Sequence, residues 1–267
     1  MVDLFKGIFN LIKFDFSKFV LIFNSIPIEI SWLFFLFFCF FSILFFLKLF
    51  GEIGLYAYTI IAIIAGNIQV LKIVKFSFFS EPIALGTILF SSTFLCTDIL
   101  AENYGLKQAR KNVIIGFLGF LLMTLMMLFT LGFEPLDKEI YGEDYFWAIN
   151  MQENLMSVFL PLPTFFIASM VAYLISQYFD IWFFSMLSKL TNKKHLWLRN
   201  NFSTVLSSLI DTSIFSLCAF IFFAVDPIDL YIVIMTYIIG SFIMRVFIAL
   251  FDTPFIYLSK YFLKKIN

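Results

Sequence analysis

Long apolar runs separated by short polar breaks dominate the chain. Seven runs are long enough to cross a bilayer as helices, which takes about 20 residues. They fall near Ser31–Phe50, Ile53–Val74, Pro82–Leu100, Val113–Leu131, Phe159–Leu187, Thr204–Ala224 and Leu230–Tyr257. The fifth and seventh exceed one span, which predicts tilt or an interfacial extension. Ahead of them, Leu4–Phe23 mixes Lys6, Lys13, Asp15 and Lys18 with Phe, Ile and Leu. That mixture predicts an amphipathic helix on the membrane surface. The same charges, and the lack of a small-residue cleavage site, argue against a cleavable leader. No Gly/Ser-rich linker divides the chain, so one membrane domain is expected, with residues 1–50 as an N-terminal extension.

The breaks carry the charge unevenly. Lys107, Arg110 and Lys111 lie between runs three and four, and Lys189, Lys193, Lys194 and Arg199 between five and six. Lys260, Lys264 and Lys265 follow the last run. The intervening stretch Glu134–Glu153 holds Glu134, Asp137, Glu139, Glu143, Asp144 and Glu153 against Lys138 alone. The turn Asp226-Pro227-Ile228-Asp229 has no basic residue. The positive-inside rule then makes the basic loops and the C-terminus cytoplasmic. Seven crossings would leave the N-terminus outside, where Lys6, Lys13 and Lys18 fit poorly.

Composition agrees. The chain is 62% hydrophobic and 13% charged, which suits a polytopic helical membrane protein with the lipid bilayer as its partner. A net charge of zero says nothing about nucleic acid or acidic partners, and no nucleic-acid partner is expected. Cys39, Cys96 and Cys218 show no C-x-x-C spacing, so neither a disulfide framework nor a metal site is expected. The 41 phenylalanines read as a compositional habit that does not mark function. No residue pattern implies a cofactor.

Polar residues inside the runs are costly, and each is a functional candidate. Run two holds Asn67, which can both donate and accept. Run three aligns Thr87, Ser91, Asp98 and Glu102 on one helical stripe, with Glu102 near the cytoplasmic mouth and Arg110 as its possible ion-pair partner. Run five places Ser169, Tyr173, Gln177 and Asp180 along one side, and run six does the same with Thr204, Ser207, Ser208 and Asp211. Arg245 is a deep cation in run seven, with Asp211, Asp98 and Asp180 as possible partners.

These residues carry a resemblance. Thr97-Asp98-Ile99-Leu100-Ala101-Glu102-Asn103-Tyr104-Gly105 with Ala109-Arg110 is similar to a motif of the queuosine-precursor transporter family, also called the vitamin-uptake-transporter family. So are Ala168-Ser169-x-x-Ala172-Tyr173-x-x-x-Gln177-x-x-Asp180, and Ser203-Thr204 leading to Asp211-Thr212-x-x-Phe215. Asn67 and Arg245 also fit. The resemblance covers about Tyr56 to the C-terminus. It implies a six-helix transporter core over residues 51–267, with the first apolar helix as an addition. It also implies import of 7-deazaguanine bases or queuine into the cytoplasm across the cell membrane, for tRNA modification. The substrate-binding residues would be Asn67, Ser91, Asp98, Glu102, Gln177, Asp180, Asp211 and Arg245. One departure is Ser207-Ser208, where many relatives carry an amide before Asp211.

Two other functions were weighed. A vitamin-binding subunit of an energy-coupling-factor importer would dock its partner through small residues, for which Ala62 and Gly66 are candidates. An intramembrane enzyme is not expected. A metal-dependent transferase needs a further aspartate pair that runs four and five lack, and His195 is the single histidine.

Overall fold

The computed structural model describes residues 2–142, 145–160, 162–224 and 226–264. The charged loop residues Glu143 and Asp144 and the terminal Lys265 lie outside that set. Among the described residues the chain is helical throughout, with one two-residue hairpin.

The N-terminal segment forms α1 (Val2–Ile12) and α2 (Phe16–Ser25) where one amphipathic helix was expected. The break falls at Phe14, whose φ of 60° ends α1, and Asp15 then caps α2 by accepting from the Lys18 amide. α3 (Ile28–Phe50) and α4 (Glu52–Gln69) follow as an antiparallel pair joined by Gly51. α4 stops at Gln69, earlier than the apolar run through Val74 suggested. Ile73–Val74 instead pairs with Ile83–Ala84 in an antiparallel hairpin, β1 and β2. Hydropathy cannot distinguish an apolar hairpin from a further helical turn.

α5 (Thr87–Asn103) starts after Gly86, whose φ is 101°. A side chain on Gly86 would lie 2.8 Å from the Gly66 carbonyl oxygen, so glycine is required there. α6 (Leu106–Leu131) then returns across the bundle. The acidic connection is not all loop, because it contains α7 (Lys138–Tyr141) and α8 (Phe146–Phe159). α9 (Leu162–Leu190) and α10 (Leu196–Leu217) form the most extensive helix pair. α10 ends in a π-helical turn, Cys218–Phe222. The last span opens with α11 (Leu230–Ile232), passes through π-helical Val233–Gly240 and finishes as α12 (Ser241–Lys264).

Six of these helices are long and apolar enough to cross a membrane. The seventh, α5, has 17 residues and reaches roughly 25 Å at 1.5 Å per residue. It sits against α3, α4, α6, α9 and α12 and is buried on all sides. An all-round buried helix need not be lipid-apolar, which is how α5 accommodates Thr87, Ser91, Ser92, Thr93 and Thr97. The protein is therefore an all-α polytopic membrane protein. α3, assigned to the extension, packs Leu36, Phe40, Ile43 and Leu47 into the same core as α4, α5 and α12. Ala62 and Gly66 are buried too, with Gly66 facing Leu89 and Phe90 of α5. That pair serves packing inside the chain.

Close helix approach depends on a few small residues. A methyl group on Gly54 would run into the Phe46 backbone carbonyl of α3. Backbone cannot yield as a side-chain tip can. Gly54→Ala is expected to destabilise the α3–α4 pair by about 1–3 kcal/mol, the range for overpacking. Thermal unfolding in detergent should show a clear fall in Tm; an unchanged Tm would refute this packing.

Candidate functional site

α5, α9, α10 and α12 converge on a polar interior arranged in three tiers along the membrane axis. α12 sets the spacing with Arg245, Asp252 and Lys260, about 10 and 12 Å apart at 1.5 Å per residue.

The first tier lies towards the acidic end. Arg245 Nη2 is 2.7 Å from Asp211 Oδ2, and Ser176 Oγ donates to Asp211 Oδ1 at 2.9 Å. Of the three acids available to Arg245, the fold selects Asp211. The pair borders a cavity of about 40 Å3. Phe90, Phe215, Tyr173 and Tyr237 supply aromatic walls, and Ser169, Thr212, Ser216 and Ser241 supply hydroxyls. Arg245 is buried, yet its Nε and Nη1 have no hydrogen-bond partner. Two orphaned guanidinium donors are unfavourable in a dry interior. The Phe90 ring, 5.9 Å from the guanidinium carbon, offsets part of that cost. Tyr237 reaches the cavity from the π-helical stretch, a distortion that recurs at functional sites.

The second tier is built on α10. Its face Asn200, Thr204 and Ser207 takes one acid from each of three helices. Asn200 Nδ2 donates to Asp252 Oδ1 at 2.6 Å, Thr204 Oγ1 to Asp98 Oδ2 at 3.3 Å, and Ser207 Oγ to Asp180 Oδ1 at 2.9 Å. Ser207, the departure noted in the sequence, thus holds Asp180. Beside this tier Gln177 bridges α9 to α5. It donates to Thr93 Oγ1 at 3.0 Å and accepts from Thr97 Oγ1 at 2.9 Å.

The third tier closes the basic end. Glu102 receives Arg199 Nη1 at 2.9 Å and Lys260 Nζ at 2.6 Å, tying α5, α10 and α12 together. Arg199 also donates to Ser188 Oγ at 2.9 Å and lies over the Phe184 ring. Arg110, the partner suggested by sequence, is exposed. It sits on the far side of the Gly105 turn, and spacing along one segment cannot reveal partners nearly a hundred residues away.

The eight sequence candidates therefore divide. Asp211 and Arg245 line the cavity. Asp98 and Asp180 meet in the second tier, Glu102 belongs to the third, and Gln177 clasps two helices. Asn67, which donates to the Ile63 carbonyl, and Ser91, whose hydroxyl is buried without a partner, do not line the cavity. Sequence reading passed over Asp252, Ser176, Phe90 and Tyr237. Asp252 had a signal, since it lies seven residues from Arg245 on the same face of α12.

The profile of the family described as "Putative vitamin uptake transporter" matches residues 84–259, the segment that carries the three tiers apart from Lys260. A Bacillus subtilis (strain 168) protein described as "Probable queuosine precursor transporter" is 34% identical over 230 residues, covering 86% of this chain and 93% of that relative. No solved structure matches the chain. With six helices among the described residues long and apolar enough to cross a membrane, a buried polar axis between them, and a match spanning most of both sequences, the chain belongs to the vitamin-uptake-transporter family and is a multi-pass membrane transporter.

Proposed function

We propose that this transporter imports queuosine precursors, 7-deazaguanine bases or queuine, into the cytoplasm, and that the first tier is where the base binds. The observation that carries the reading is the half-used arginine. Arg245 spends one nitrogen on Asp211 and keeps two donors unpartnered beside aromatic walls. The 2-amino-4-oxo edge of a deazaguanine presents a carbonyl acceptor next to two N–H donors. Arg245 suits the carbonyl and Asp211 suits the N–H groups, so the pair is complementary to that edge in both charge and order. Phe90, Phe215 and Tyr237 suit the flat ring.

A cavity of about 40 Å3 has room for little more than one water. A bicyclic base is larger than that, so the base enters only when the helices part. The third tier is then the cytoplasmic gate, with Glu102, Arg199 and Lys260 breaking and re-forming as α5, α10 and α12 separate. Lys107, Lys111, Lys189, Lys193 and Lys194 flank this end, which supports a cytoplasmic C-terminus.

Expression in a host lacking both precursor synthesis and its own importer tests the reading. Supplied with low concentrations of base, that host is expected to regain queuosine in its tRNA. Queuosine remaining absent, with the protein present in the membrane, would refute it.

A further inference from the structure

Asp98, Asp180 and Asp252 are 1%, 0% and 1% exposed, yet none meets a basic group in an ion pair among the described residues. Three uncompensated carboxylates in such an interior would be prohibitively unfavourable. The surrounding donors do not remedy this. Asp98 Oδ1, Asp180 Oδ2, Asp252 Oδ2 and the neighbouring Asn200 Oδ1 all lack a hydrogen-bond partner. Thr204 and Ser207, three residues apart on one face of α10, hold Asp98 and Asp180 side by side, and Asn200 holds Asp252 one turn further along. The tier is short of positive charge by construction.

The groups facing it from each packed helix do not change the balance. α10 offers Asn200, Ser203, Thr204 and Ser207, all neutral, while its Arg199 is committed to Glu102. α9 adds neutral Gln177, which is satisfied by Thr93 and Thr97. α5 adds Glu102 one turn away, held by Arg199 and Lys260. α12 adds Arg245, committed to Asp211, and Lys260, committed to Glu102. From α6, Asn112 approaches Thr97 and is neutral; the buried residues of α4 (Tyr58, Thr59 and Asn67 among them) and of α3 (Ser31 and Cys39 among them) include no basic group.

We infer that the cluster of Asp98, Asp180 and Asp252 is a proton-carrying site that couples movement of the solute to entry of protons. This rests on the reading of the first tier as the solute site. The carboxyl tier lies between that cavity and the Glu102 gate. A proton taken up there from the outer side removes one negative charge from the tier and favours the packing of α5, α9, α10 and α12 as described. Its release to the cytoplasm restores a charge that only a hydrated, open arrangement tolerates. One helix, α10, contacts all three tiers, so solute and proton bias the same element.

Purified protein in vesicles loaded with a fluorescent pH indicator provides the test. Adding radiolabelled queuine outside is expected to acidify the lumen, and an inward proton gradient to drive accumulation that a protonophore abolishes. Asp180→Asn and Asp98→Asn, compared with wild type at equal amounts of folded protein, are expected to lose both proton signals. Infrared spectroscopy of the purified protein, without solute, should show a protonated-carboxyl band that Asp180→Asn diminishes. Accumulation driven by a sodium gradient, or indifferent to the proton gradient, would overturn the inference while leaving the solute site intact. Wild-type protein that binds no queuine would instead overturn the solute reading and the coupling that rests on it.

Discussion

Replacing Arg245 with lysine is expected to lower queuine uptake by about 100-fold while leaving the protein folded in the membrane. Lysine keeps the positive charge that Asp211 needs, but it lacks the planar fork. Two charge-assisted donors are lost at the cavity, each worth about 1.5–3 kcal/mol, and about 2.7 kcal/mol already corresponds to 100-fold. Arg245→Ala should behave differently, because it strands the Asp211 carboxylate in a dry site at a cost of about 3–5 kcal/mol. Its signature is loss of folded protein along with loss of uptake. Uptake rates normalised to folded protein in the membrane separate the two effects. Wild-type uptake by Arg245→Lys would remove the guanidinium from the mechanism.

The second large effect is expected at the proposed gate, where burial decides between the two cations on Glu102. Arg199 has a side chain 1% exposed, whereas that of Lys260 is 38% exposed. Arg199→Ala removes the bonds to Glu102 and Ser188 and the stacking on Phe184. It leaves Glu102 with only the solvent-screened lysine. A destabilisation of about 3–5 kcal/mol is expected, read as a large fall in Tm in detergent. Lys260→Ala removes a partly exposed pair worth about 1 kcal/mol or less, so its Tm should barely move. Equal effects from the two variants would contradict a gate anchored by Arg199.

Much of this was legible in the sequence, for identifiable reasons. A polar side chain inside an apolar run is conspicuous, and Asp98, Asp180, Asp211 and Arg245 are all buried as that pattern required. The helical stripe on α9 was also readable, because i, i+3 and i+4 neighbours follow from helix geometry alone. Partner choice was not. Glu102 meets Arg199 and Lys260 across long stretches of chain, and only tertiary packing brings them together. Asp252 escaped attention because it sits in Leu-Phe-Asp-Thr-Pro near the end of a long run, where an acid reads as interfacial. Gln177 looked like a solute ligand, but hydroxyls of α5 use both ends of its amide. The hairpin of Ile73–Val74 with Ile83–Ala84 was hidden by its own hydrophobicity.

The three tiers give each part of the polar axis a separate task. In the proposed scheme the Asp211–Arg245 tier receives the solute, the carboxyl tier carries the proton, and the Glu102 tier shuts the cytoplasmic side. The first of these tasks supports the other two. Equilibrium binding of radiolabelled queuine to the purified protein tests it most directly. The predicted result is saturable binding to the wild type, displaced by unlabelled 7-deazaguanine base and lost in folded Arg245→Lys. Equal binding by wild type and Arg245→Lys, or none by folded wild-type protein, would contradict it.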